Sequence, residues 1–236
     1  MMTVNEIMTE LQSLGSEGIK KIFLKHGIKE PLFGVKISDL KTLQKKIKKD
    51  YQLALDLYGT GNADAMYLAG LTADDEKMTK ADLQKWVEQA ISNNISEYTV
   101  PWVAAGSKFG YEIALEWIEN QHDYINSAGW CTLGNIAALK ADHDLNIHSY
   151  RILLSRVIKT IHTSGNRVRH CMNNFVINVG SYIIPLTEEA IDAASKIGVV
   201  YVDMNGTSCK TPNAAEYITK VNKSGKLGKK KKTVKC

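Results

Sequence analysis

The chain has 236 residues, 44% apolar and 23% charged, an ordinary balance for a folded protein that excludes wholesale disorder. It has no run of about 18 apolar residues, so no segment reads as a membrane span. The formal net charge of +5 is uneven, because residues 217–236 carry eight lysines and no acid, while residues 1–216 hold 22 basic groups against 25 acidic ones, a net of −3. Basic residues crowd 20–49 and 148–170, whereas 60–145 is acidic. Separated basic patches predict contact with a phosphate backbone at a few places rather than loose polyanion binding.

In chain order, residues 5–14 and 17–26 read as a first helix pair, broken by Gly15 and Gly27. Ile37, Leu40, Leu43 and Ile47 recur at helical spacing, with Asp39 early and lysines late, as the helix dipole prefers. Lys41, Lys45, Lys48 and Lys49 fall on the opposite side of that helix. Residues 52–58 follow, and after Gly59-Thr-Gly61 a helix starts at Asn62, a good N-cap. Residues 79–92 are amphipathic, with Leu83, Trp86, Val87 and Ala90 on one face. Residues 111–119 and 126–140 come next. The second of these is nearly uncharged, and its Ala128, Gly129, Gly134, Ala137 and Ala138 predict a buried helix with close neighbours. Residues 146–162 and 166–180 repeat apolar side chains at spacings of three and four, and Thr187 is read as the start of an imperfect capping box for 187–197. Only residues 199–204 look extended.

Helices of about 10–17 residues on short loops predict an all-α fold, a curved α-solenoid of antiparallel helix pairs. A single domain is expected over 1–225, followed by a basic tail, 226–236. That tail is too apolar-poor to fold alone, so it is either a solvated solubility segment or ordered only against the body or a polyanion. Cys131, Cys171, Cys209 and Cys236 form no Cys-x-x-Cys, and the six histidines do not cluster, so neither metal nor cofactor is expected. The first residues lack a basic segment followed by an apolar one, and a reduced, cytoplasmic setting is expected.

The stretch from Pro31 to Asp75 runs from a Phe33-Gly34-Val35 loop to a basic helix ending Lys48-Lys49-Asp50-Tyr51, then two apolar helices. This order resembles the AlkD-like DNA alkylation repair proteins. The resemblance implies stacked HEAT-like helix pairs, DNA (duplex or distorted) as partner, and a relation to glycosylases that excise cationic alkylated purines. Such a reaction needs a carboxylate beside the developing oxocarbenium sugar, and aromatic faces that attract the cationic base.

The family's motifs resemble Trp-Asp-x-Val-Asp, then Trp-Leu-Arg-Arg, then Arg-Lys-Ala-x-Gly-Trp. The matching frames here have other occupants. In Glu97-Tyr-Thr-Val-Pro101 the aromatic position holds Glu97 and the final carboxylate position holds Pro101. In Ala128-Gly-Trp130-Cys-Thr, Trp130 survives while Cys131 and Thr132 replace the arginines. In the third frame Arg169 persists and Asn174 stands for the tryptophan. The resemblance therefore implies a divergent subgroup, with glycosylase chemistry lost or altered.

Glu97, Trp102 and Trp130 are the weak catalytic candidates. A displaced carboxylate–aromatic pair, Glu97 with Trp102, would keep an active enzyme. A surface Glu97 at a helix start beside a core Trp102 is the plainer reading. Trp86 and Trp117 read as core, and Glu119, His122 and Asp123 as an acidic helix end.

Arg167, His170, Asn174 and Asn178 share one flank of a helix. They fit either contacts to a phosphate backbone or extended peptide, or an internal hydrogen-bond ladder. Expected DNA contacts are Lys45, Lys48, Lys49, Arg167, Arg169, His170 and Asn174, with Lys229, Lys230, Lys231 and Lys232 of the tail. A scaffold that binds a protein partner is the reading from another class.

Overall fold

A computed structural model describes residues 2–236. As expected, it is all-α, with thirteen α-helices and no strand among the described residues. The helices form two compact units. One comprises residues 2–109, 205–207 and 235–236, and the other residues 110–204 and 208–234.

The first unit contains α1 (Val4–Leu14), α2 (Glu17–Lys25), α3 (Ile37–Ile47), α4 (Tyr51–Gly59), α5 (Ala63–Thr72), α6 (Lys80–Glu88) and α7 (Val100–Gly106). A π-helical turn, Ile95–Thr99, precedes α7. Local chemistry sets several starts. Thr3 with Glu6 and Thr79 with Asp82 close capping boxes. Asn62 accepts from the N–H groups of Asp64 and Ala65, as its N-cap position predicts. Stacked Tyr58 and Trp86, 4.1 Å between centroids, anchor the core, and the Tyr58 hydroxyl donates to the Trp86 carbonyl at 2.6 Å.

The Phe-Gly-Val loop is held from α5. The buried Asp64 carboxylate accepts backbone N–H groups from Phe33, Gly34 and Val35 at 2.6, 3.0 and 3.2 Å. Burial pushes this carboxyl above its ordinary range, against the pull of those three donors. Gly34 has φ +79°, and a Cβ there would stand 2.6 Å from the Ser16 carbonyl and the Lys20 nitrogen. Only glycine fits both the conformation and the space.

The second unit contains α8 (Gly110–Trp117), α9 (Asp123–Leu139), α10 (Ile147–Thr160), α11 (Asn166–Tyr182), α12 (Thr187–Ile197) and α13 (Ala214–Lys223). Helix α9 is buried along most of its length, as its composition predicts. Gly129 lets α8 approach, since a Cβ there would lie 2.9 Å from the Ala114 carbonyl. The core gathers Trp130, Tyr150, Phe175 and the aliphatic faces of α10, α11 and α12.

Residues 199–204 lie outside any helix and pair in no ladder. One expectation needs correction. Thr187 caps nothing; it lies inside the first turn of α12 and donates to the Gly180 carbonyl at 3.1 Å. Pro101 follows directly on the π-helical turn, whose widened backbone accommodates a residue without an N–H inside a continuous helix. Helix α13 was not anticipated. Helix α13 buries only Ala214 and Ile218, too little for a visible apolar stripe.

The tail is ordered against the body, one of the two readings its composition left open. The Gly228 N–H donates to the Ser181 carbonyl at 2.9 Å and the Lys231 N–H to the Ala138 carbonyl at 2.8 Å. The Lys230 ammonium donates to the Ala137 carbonyl at 2.9 Å. Ala137 and Ala138 lie in the last turn of α9, so the tail satisfies carbonyls that have no partner within the helix and places a cation at its negative end.

Candidate nucleic-acid interface

In the first unit, the Glu97–Pro101 frame crosses from the π-helical turn into α7. Glu97 is 5% exposed, so the expectation of a surface residue is corrected. Packing over the π-helical turn encloses it, against the usual exposure of glutamate. Pro101 is buried and offers no side-chain donor or acceptor. Trp102 meets Tyr67 edge-on at 5.2 Å and Tyr98 at 6.1 Å, and Tyr98 keeps an exposed face. Burial, and then Cys236, push the Tyr67 hydroxyl far above its ordinary pKa.

Trp130 lies in the second unit, enclosed by the core. Phe175 packs edge-on at 5.1 Å, and the Arg156 guanidinium lies 5.8 Å from its centroid. Arg156 also pairs with Glu119 and donates to the Ile118 carbonyl at 3.0 Å. No face of Trp130 is open to a base without disrupting this packing.

Arg167, Arg169, His170, Asn174 and Asn178 are all half-buried on α11. The Arg167 guanidinium lies 3.3 Å from the Met204 sulfur. His170 Nε2 and the Asn174 amide nitrogen are 3.0 Å apart. Burial first, and the Arg167 charge second, lower the His170 pKa to about 4, so the imidazole is neutral at neutral pH. Among the described residues, its buried Nδ1 and the buried Nε of Arg169 have no hydrogen-bond partner. Asn178 packs its amide onto Gly134 of α9.

Two neighbours that sequence reading passed over fix the loop after α12. Asn166 exchanges hydrogen bonds with the backbone of Asp203 at 2.9 and 2.8 Å, and Asn173 donates to the Pro212 carbonyl at 3.0 Å. Their sequence signal was an unusual density of asparagine along α11.

Lys45 is exposed on α3, and Lys48 and Lys49 are exposed just beyond it. In the tail, Lys229 and Lys232 are exposed, whereas Lys230 pairs with Asp142 at 2.8 Å and is largely committed. The Lys231 ammonium lies 5.5 Å from the Tyr182 centroid. Lys235 is half-buried, its ammonium donating to Asp75 at 2.7 Å and to the Ala73 carbonyl at 2.9 Å. The tail lysines are thus divided between structural contacts and an exposed remainder. Among the described residues no cluster of His, Cys, Asp and Glu could hold a metal ion, and no helix is long and apolar enough to cross a membrane.

A solved structure described as "a new family of proteins related to the HEAT-like repeat DNA glycosylases with affinity for branched DNA structures" matches with a TM-score of 0.92 and 36% identity, covering 100% of both chains. The uncharacterized protein Lin0241 of Listeria innocua is 35% identical over 226 residues, 93% of this chain and 97% of its own length. Lmo0209 of Listeria monocytogenes, also described as uncharacterized, is 34% identical over the same shares. The model of the family described as DNA alkylation repair enzyme matches residues 7–218. With the family model spanning residues 7–218 and relatives 34–36% identical over nearly the whole chain, the chain belongs to the DNA alkylation repair enzyme family.

Proposed function

We propose that this protein binds distorted or branched DNA and that its glycosylase chemistry is lost or altered. The observation that carries the DNA reading is the end-to-end similarity, at 36% identity, to a protein from a group with affinity for branched DNA structures. The exposed Lys45, Lys48, Lys49, Lys229 and Lys232 supply cations for phosphate contacts. Lys231, Arg167 and Arg169 add charge, while neutral His170 and Asn174 offer hydrogen-bonding groups.

Pro101 supports the second half of the proposal. Cleaving the glycosidic bond of a cationic purine requires a carboxylate near the anomeric carbon, and a buried proline stands in that frame. Single-turnover incubation with alkylated DNA tests this. The expected result is no release of 7-methylguanine or 3-methyladenine above the uncatalysed rate.

One observation favours a second reading. Glu97 is enclosed on a π-helical turn, a feature frequent at functional sites, next to Tyr98 and about one turn before Trp102. Under that reading alkylated bases are released, and Glu97→Gln abolishes the release while DNA affinity is retained.

A further inference from the structure

A cleft of about 510 Å³ opens in the second unit beside the end of α11, α13 and the turn 224–229. This volume falls within the range of small-ligand sites. Its walls carry two aromatic rings, Tyr182 and Tyr217, and three cations, Lys220, Lys226 and Lys229, with no acidic side chain among its lining residues. Tyr217 is 48% exposed, so a large ring face is open to solvent beside the cations. None of the three lysines enters an ion pair among the described residues.

The wall that carries Lys226 and Lys229 is a formed turn. Gly225 and Gly228 have φ of +66° and +70°. The Gly228 N–H is bonded to the Ser181 carbonyl at 2.9 Å, and a Cβ on Gly228 would stand 2.5 Å from the Ile184 side chain. The turn therefore lies tight against the end of α11, and the Lys229 N–H closes back on the Lys226 carbonyl at 3.2 Å. Both ammonium groups are carried on a fixed support next to the rings. The Lys231 ammonium, which is not part of the lining, lies 5.5 Å from the Tyr182 centroid and adds positive charge nearby.

An aromatic face with converging cations is what a nucleotide requires: a π surface for the base and ammonium groups for its phosphates. Duplex DNA hides its base faces in the stack, so the matching ligand is unpaired. We propose that this cleft binds an unpaired nucleotide of a DNA strand, its base stacked on Tyr217 and its phosphates held by Lys220, Lys226 and Lys229. The proposal rests on the DNA-binding reading and deepens it, since branched DNA presents unpaired nucleotides at its branch points and flaps.

The test uses the full chain, fluorescent (dT)6 carrying a 5′-phosphate, and a fully paired four-way junction, at about 100 mM salt so that nonspecific association is partly screened. Tyr217→Ala and a Lys220→Gln/Lys226→Gln/Lys229→Gln variant alter exposed groups, and thermal melting checks that both remain folded. Wild type is expected to bind (dT)6 saturably, with each variant weakening it at least fivefold and Tyr217→Ala leaving the paired junction within twofold. Thymidine monophosphate is expected to compete at lower concentration than inorganic phosphate.

Absence of saturable (dT)6 binding overturns the proposal. So does a loss confined to the lysine variant, which marks plain electrostatics, or equal competition by inorganic phosphate, which removes the base from the site. Failure of the protein to bind any junction would instead contradict the branched-DNA reading, and (dT)6 binding that depends on Tyr217 would stand apart from it.

Discussion

The Asp64 carboxylate accepts the Gly34 backbone N–H at 3.0 Å, binding the first turn of α5 to the left-handed corner of the Phe33-Gly34-Val35 loop. With the bonds from Phe33 and Val35, one side chain satisfies three consecutive backbone donors. The stretch that first marked the family in the sequence is therefore a structural clasp.

Asp64→Ala strands three N–H groups, two of whose bonds are buried and one partly so, at about 1–3 kcal/mol each with some relief from water. A net loss of about 3–5 kcal/mol is expected, which in a chain of this size lowers the melting temperature by roughly 10 °C. Gly34→Ala should cost a similar amount through its φ and its contacts. A melting temperature within 2 °C of wild type for either variant would refute the clasp.

His170 links stability to pH. Its folded pKa of about 4 lies below the ordinary 6.5. Between those values the unfolded chain takes up a proton that the folded chain refuses, so folding weakens as pH falls from 6.5 toward 4. The stabilisation is fully present above 6.5 and amounts to about 3 kcal/mol at most. His170→Gln keeps a polar neighbour for Asn174 and removes the titration. Urea midpoints at pH 4.5 and 7 should differ less in the variant than in wild type; an unchanged difference would contradict this.

The tail lysines should separate by role. Lys235→Ala leaves the half-buried Asp75 carboxylate without this partner and should destabilise the fold by about 1–3 kcal/mol. Lys229→Gln with Lys232→Gln should leave the melting temperature unchanged. It should also reduce the slope of log affinity against log salt by up to about 1.8, at roughly 0.9 per lost duplex phosphate contact. Calorimetry and a salt titration distinguish the two. A lower melting temperature in the Lys229/Lys232 variant would contradict the division.

The lysines at the end of α3 predict a purely electrostatic effect. Replacing Lys45, Lys48 and Lys49 with glutamine should weaken DNA binding about 10- to 1,000-fold at moderate salt, equally for all sequences. Unchanged affinity would remove this face from the interface.

The fold was legible wherever an apolar stripe met a cap. Ile37 to Ile47 and the N-cap at Asn62 predicted α3 and α5, and the small residues of α9 predicted its burial. Helix α13 escaped because two buried side chains leave no period to read. The contacts that dock the tail escaped because its hold depends on backbone donors and on a glycine, Gly228, that lies against Ile184 only in the folded chain. The site was less legible than the fold. Residue type pointed to Lys230 as a DNA contact, yet Asp142 and the end of α9 engage it. Glu97 looked solvated, but tertiary packing encloses it. Tyr217 and Lys220 drew no notice because their relation to Lys226 and Lys229 exists only once α13 and the turn are formed.

Affinity for a fluorescent four-way junction, compared with a linear duplex of the same arm sequence at about 100 mM salt, tests the central claim most directly. At least tenfold tighter binding to the junction is predicted. Equal affinity for the two, or no binding to either, would contradict it.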